Sequence, residues 1–229
     1  MNREQKLQGR FAFETERYGT SAEGAPLHYF PCEERCRVLV VAGIHGEEAD
    51  TTFLLSRAMR FLLTPLKSAA AVLCANPDGM AKGLRANANG VDLNRNFPAS
   101  NWKPENVLSR WTVNHAPAVE LSPGAYPGSE KETAALLSLI EALKPETILA
   151  VHSPLACVDC SASSALAESL EKIFELPRVK DIGYPTPGSL GSWCGENNLE
   201  CITLELPALP AETLAERYAE AWAEWLNLI

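Results

Sequence analysis

Several features are missing from this 229-residue chain, and each absence narrows what it can be. No stretch approaches the ~20 consecutive apolar residues that carry a helix across a bilayer. The N-terminus, Met1-Asn2-Arg3-Glu4-Gln5-Lys6, is polar and no apolar run follows it, so it does not read as a secretory signal. A cytoplasmic protein is the expectation. Basic residues are scarce: Lys and Arg total 20 against 29 Asp and Glu, for a net charge of -9. Nucleic acids and anionic membranes are held through a basic footprint, so neither is expected as a partner. Repeats, low-complexity tracts and interdomain linkers are also lacking. That leaves a single catalytic-sized domain over residues 1–229, long enough to bury a core without staples. Seven cysteines, an odd number without an export signal, read as reduced thiols. Cys157 and Cys160 have the CxxC spacing of a redox or zinc site, but no second pair accompanies them. Cys74 and Cys201 fall in strand-like runs and are expected to be small buried residues.

Four short, continuous apolar runs are present, at 37–44, 69–75, 147–151 and 201–206. Such runs mark strands buried on both faces. Residues 27–30 suit an early edge strand, with His28 half-buried in it. Helical periodicity begins after Gly46, with Ala49, Phe53, Leu54, Ala58, Phe61 and Leu62 at three- and four-residue spacing. Ser129 and Glu132 have capping-box spacing and would open a helix to about Leu143. Further helices are expected at 163–176 and 211–228. Asn76-Pro77-Asp78-Gly79 reads as a turn, 183–191 as a Gly/Pro loop, and 99–128 as an irregular connection. Connections that long are uncommon and are often functional. Strands alternating with helices predict an α/β fold: a mixed, largely parallel central sheet with helices on both faces.

In open α/β sheets, ligands bind beyond the carboxyl ends of the strands. Three of the four apolar runs end in His45, His152 and Glu205. Packing alone gives no reason for ligand-type residues at three strand ends, whereas a shared site does. His45 and Glu48 stand one turn apart, and His152 would complete a two-His, one-Glu zinc set that keeps a position open for water. Alone, His45-x-x-Glu48 is a weak motif, and a lone histidine there is as well explained by a hydrogen bond near the core. Glu47 competes with Glu48 but lacks the three-residue offset, and reads as solvated. Glu205 lies inside an apolar strand, where an unpaired carboxylate is costly. It is either half of a salt bridge or a general base beside the metal. Arg85 can stabilise an oxyanion, Arg95 with Asn94 can grip a carboxylate, and Asp92 can fix the tautomer of a zinc histidine. Taken singly each arginine suits the surface; the density of Asn, Asp and Arg in one aperiodic segment favours function.

The segments 43–48, Arg85, 89–97, His152-Ser153 and Glu205 resemble, in order and spacing, the zinc carboxypeptidase family (carboxypeptidase A-like). The likeness spans residues 38–207. It implies a zinc carboxypeptidase-like fold holding one Zn2+ per chain, with His45, Glu48 and His152 as its ligands. Glu205 matches the general base, Arg85 the oxyanion-stabilising arginine, Asn94 and Arg95 the terminal-carboxylate clamp, and Asp92 the residue behind the first zinc histidine. Tyr184 matches the mobile tyrosine of the substrate-covering loop, although that loop differs in length from the digestive enzymes. Within the family, residues 84–98, 154–157, 186–189 and 191–194 are similar to members acting on small murein peptides. Those members cut the γ-D-glutamyl–meso-diaminopimelate bond in cell-wall recycling. Gly191, by its place in the loop, is expected near the base of the side-chain pocket, where it offers room and no charge. Two other readings compete: a zinc deacylase of N-acyl amino acids, and a peptide-binding module that kept the fold without catalysis. The second would be marked by a lost ligand or a lost Glu205, and neither is lost. The oligomeric state stays open, a homodimer included.

Overall fold

The computed structural model describes residues 11–109, 118–161 and 164–229. In chain order the strands are β1 (Glu16–Thr20), β2 (Pro26–Tyr29), β3 (Val38–Ala42), β4 (Ala69–Val72), β5 (Val107–Ser109) and β6 (Val119–Leu121). They continue with β7 (Thr147–His152), β8 (Leu155–Asp159), β9 (Arg178–Val179) and β10 (Glu200–Pro207). The helices are α1 (Ala49–Met59), α2 (Pro77–Lys82), α3 (Lys131–Leu143), α4 (Ala165–Phe174), α5 (Leu190–Glu196) and α6 (Ala211–Leu228).

Six strands form the central sheet in the order β4-β3-β7-β10-β8-β9. Every neighbouring pair runs parallel except β10 with β8. The mixed, largely parallel sheet is the one expected. Its two faces divide residue by residue, because successive side chains of a strand point to opposite sides. Val38, Val40, Leu149, Val151, Ile202 and Leu204 join one core with α1, α4 and α6. Leu39, Val41, Ile148 and Ala150 join the other, beneath α3 and α5. In the first core Trp222 is fully buried, its ring edge-on to Phe174 with centroids 5.5 Å apart.

Several local expectations are corrected. Asn76-Pro77-Asp78-Gly79 is not a turn but the start of α2: the Asn76 side chain accepts the Gly79 N–H, and proline occupies the first turn. The capping box at Ser129 does not form. Ser129 Oγ donates to Glu130, and Glu132 instead accepts from the Ala22 N–H at 2.8 Å and the Asn87 amide at 3.2 Å. The irregular 99–128 stretch contains an antiparallel pair, β5 with β6; residues 110–117 lie outside the described residues. α5 also was not expected; Ser189 caps it by accepting the Ser192 N–H. The helix placed at 163–176 runs over Ala165–Phe174, and residue 163 is outside the described residues. His28 is exposed rather than half-buried, and Cys74 and Cys201 are half-buried rather than buried. All seven cysteines are thiols.

Candidate active site

β3 ends at Ala42, and the chain turns sharply before α1. Gly43 makes that turn with φ +64, a conformation that a residue with a Cβ rarely adopts. Gly46 passes so close to α2 that a Cβ there would lie 2.2 Å from the Gly79 carbonyl carbon. The two glycines thus set the path that carries His45 and Glu48 over the end of the sheet. His152 is the last residue of β7, the strand beside β3, with Ala42 opposite Val151.

Three side chains converge there. His45 Nδ1 lies 2.7 Å from Glu48 Oε1, His152 Nδ1 lies 2.9 Å from Glu48 Oε2, and the two Nδ1 atoms are 3.1 Å apart. All three residues are buried, at 2–3% exposure. Two imidazole lone pairs at that separation repel unless a cation shares them. Two nitrogens and a carboxylate are a set that zinc takes. The residues therefore fit a zinc ion, and the ligand atoms all lie within 4.8 Å of one another. Behind His45, Asp92 Oδ1 is 3.3 Å from Nε2. That contact suits a proton on Nε2 and leaves Nδ1 as the lone pair. Asp92 also accepts from Arg85 Nε at 2.9 Å and from the Asn94 N–H at 2.9 Å.

Charge follows this geometry. Burial pushes the Asp92 carboxyl up, but Arg85 and then His45 outweigh it and hold the group well below the carboxylate range. Burial likewise opposes ionisation of Glu48, and the two imidazoles reverse it. Burial disfavours the Arg85 cation, yet Asp92 and Glu48 raise its pKa, so the guanidinium stays charged.

Glu205 sits on β10 directly opposite His152 on β7. It is 7% exposed, and the Leu155 N–H approaches its Oε2 at 3.4 Å. Burial raises its pKa first; His152 opposes and Glu48 reinforces the rise. Arg95 is buried and donates from Nη1 to the Asn94 carbonyl at 2.7 Å. Asn94 Oδ1 accepts the Leu190 N–H at 2.9 Å, which leaves its amide N–H groups to another partner. Tyr184 is half exposed on its loop.

One cleft of about 360 Å3 is lined by His45, Glu48, Arg85, Asp92, Arg95, His152, Tyr184 and Glu205 together. Asn94 is not among its lining residues; its carbonyl accepts from Arg95, which is. Sequence reasoning gave no site role to several residues of its wall: the β5 residues 107–109, Glu47, and residues 153–155 and Thr186, although these last lie in segments that carried the family likeness. Glu47, expected in solvent, is half-buried 3.5 Å from Arg85 Nη1. Its place beside Glu48 was the available signal. The β5 strand is three residues long and gave none.

A buried His-Glu-His cluster at the carboxyl end of a mixed sheet, with a carboxylate and two arginines over the same cleft, defines a zinc-dependent hydrolase with a carboxypeptidase-like fold. A family model described as zinc carboxypeptidase matches residues 5–158, and the chain belongs to that family. It is 47% identical over 222 residues to murein peptide amidase A of Escherichia coli strain K12, covering 96% of this chain and 92% of that protein. The murein peptide amidase A of Vibrio campbellii is 44% identical over 214 residues, covering 92% of this chain and 86% of the relative. The crystal structure of a murein-tripeptide amidase from Escherichia coli O157 superposes with a TM-score of 0.93 at 47% identity, covering 99% of this chain and 96% of that one. Zinc is the family's metal, and His45, Glu48 and His152 are the one cluster of possible ligands among the described residues.

Proposed function

We propose that this chain is a zinc-dependent amidase that hydrolyses the γ-D-glutamyl–meso-diaminopimelate bond of murein peptides such as L-Ala-γ-D-Glu-meso-diaminopimelate. The observation that carries the reading is a buried His45-Glu48-His152 cluster in a chain nearly half identical, along almost its whole length, to murein peptide amidase A. The whole of 1–229 acts as one catalytic domain. The setting is cytoplasmic recycling of cell-wall peptides, which suits the acidic chain and its thiols; among the described residues no helix is long and apolar enough to cross a membrane.

His45, Glu48 and His152 would hold the zinc, with Asp92 keeping His45 in the ligating tautomer. Zinc in that position supplies Lewis-acid activation of a water and of the scissile carbonyl. Glu205 takes a proton from the attacking water. Its raised pKa makes it a stronger base than an ordinary carboxylate, and equally able to return the proton to the departing amine. Arg85, fixed through Nε to Asp92 and with Nη1 donating to Glu47, keeps its other N–H groups for the oxyanion. The departing diaminopimelate carries a carboxylate next to the scissile nitrogen, so it presents the terminal group that Arg95 and the Asn94 amide can clamp. Tyr184, on a half-exposed loop, closes over the bound peptide.

Product analysis tests this reading. Metal-replete protein should release meso-diaminopimelate and L-Ala-D-Glu from the tripeptide, lose that activity with a chelator and regain it with zinc. Binding without cleavage would leave a peptide-binding module. Preference for N-acetyl or N-succinyl amino acids in parallel assays would move the chain to the deacylases.

A further inference from the structure

Diaminopimelate has a second amino-acid end, three methylenes from the first, that carries an ammonium and a carboxylate. None of the groups assigned above pairs with it. The strand faces show where that end would lie. On β10, Ile202, Leu204 and Leu206 point into the core under α6, so Cys201 and Thr203 share the opposite face with Glu205. On β8, Val158 and Cys160 enter that same core, which turns Cys157 and Asp159 toward the Glu205 side. The register sets Cys157 against Glu205 and Asp159 against Thr203. Asp159 is therefore one strand over and one two-residue step, about 7 Å, along the sheet from Glu205. β9 places Val179 opposite Asp159, and Lys180 follows directly.

These residues open on a common space. Asp159, Lys180, Thr186, Gly191, Ser192 and Thr203 line one hollow. A second hollow beside it shares Asp159, Lys180 and Thr186 and also reaches Tyr184. Thr186 and Tyr184 in turn line the zinc cleft. The hollow thus begins where the cleft ends. Gly191 leaves it roomy: a Cβ added there would meet only Ser189 Oγ, at 3.9 Å. Asp159 is half-buried, and burial and the like charge of Asp181 both raise its pKa. A half-buried carboxylate of that kind is favoured when a ligand brings the missing positive charge. Asp181 is already engaged, accepting the Gly183 N–H at 2.7 Å. Lys180 is exposed, and its four-carbon stem can bring the ammonium over the rim.

We propose that Asp159 and Lys180 read the distal end of diaminopimelate, Asp159 accepting from its ammonium and Lys180 donating to its carboxylate. The assignment rests on the murein-peptide reading above and adds the pair that selects the residue being released. Opposite charges held at the end of β8 and just past β9 would also orient the distal stereocentre, since exchanging the two groups sets like charge against like.

Three tripeptides and two variants test it. The peptides are L-Ala-γ-D-Glu followed by meso-diaminopimelate, by L-lysine (no distal carboxylate) or by 2-aminopimelate (no distal ammonium). Asp159→Asn should lower kcat/KM about ten- to a hundredfold on the diaminopimelate and lysine peptides, the scale of a lost charge-assisted hydrogen bond. On the 2-aminopimelate peptide that loss should vanish or reverse. Lys180→Met should show the crossed pattern, with losses on the diaminopimelate and 2-aminopimelate peptides and none on the lysine peptide. Unchanged circular dichroism and zinc content keep folding out of the comparison. Equal losses on all three peptides, or none on any, would overturn the assignment while leaving the amidase reading intact. Wild-type protein that cleaved none of the three would remove both.

Discussion

At the scale of single residues, Glu205 carries the sharpest expectations. Glu205→Gln keeps the side chain's size and its contact from the Leu155 N–H but removes the proton acceptor. Zinc content and peptide binding should stay, and kcat should fall about 10²–10⁴-fold. A rate within a few-fold of wild type would take Glu205 out of the reaction. Its pH behaviour follows from its surroundings. Burial lifts its pKa above the ordinary 4.5, and Glu48 adds to the lift while His152 opposes it. In metal-free protein its carboxyl should therefore titrate above that ordinary value, as carboxyl NMR shifts would show. Titration at or below 4.5 in that metal-free protein would contradict the buried setting. The sequence made the residue visible because a carboxylate interrupting an apolar strand has few innocent explanations. Asp159 was passed over for the opposite reason: in a mixed stretch between cysteines nothing marks a charge as half-buried, and only the pairing of β8 with β10 brings it alongside Thr203.

At the scale of elements, legibility tracked how much of the stability was local. β3 and β7 are buried along their whole length and β10 from Leu204 to Leu206, so their apolar runs announce them without knowledge of the partner strands. α2 and α5 are six and seven residues long, too short to be stable alone, and owe their existence to what they touch. Asn76 shows how a local signal was read for the wrong element. Its side chain accepts the Gly79 N–H to cap α2, and its amide reaches toward the Ile44 carbonyl at 3.3 Å and the Arg85 carbonyl at 3.4 Å. One asparagine thereby ties the helix to the turn before His45 and to the arginine over the cleft. Asn76→Ala should cost about 1–2 kcal/mol, a lost cap plus buried carbonyls left short of donors, and chemical denaturation would measure it. Activity should fall further than that loss alone explains, because the His45 turn and Arg85 both loosen. A variant with full stability and full activity would contradict the link. The failed capping box has the same lesson. Glu130 and Glu132 are drawn toward the Asn-rich segment, where Asn87 and Asn89 donate to Glu130 Oε2 at 2.7 and 2.8 Å. Those contacts span more than forty residues, and local spacing cannot reveal them.

At the scale of the whole molecule, the ligand cluster joins parts of the sheet that are distant in sequence, and this couples metal binding to folding. His45 and Glu48 lie on the turn after β3, while His152 lies more than a hundred residues on, at the end of β7. Unfolding separates them, so zinc held by this cluster binds the folded chain and stabilises it by mass action. At free zinc of about 100 times the dissociation constant the gain is ~2.7 kcal/mol. For a chain of this size each kcal/mol moves the melting temperature by about 2–4 °C, so zinc should raise it by roughly 5–10 °C over chelated protein. The seven thiols bind some zinc in the unfolded chain and trim that shift, which makes the comparison with a variant the decisive one. His152→Ala removes one of the three ligands at a strand end without touching the His45 turn. It should melt at nearly the same temperature with and without zinc. A full shift in that variant would place the stabilising metal elsewhere and detach the cluster from the zinc on which the proposed chemistry depends.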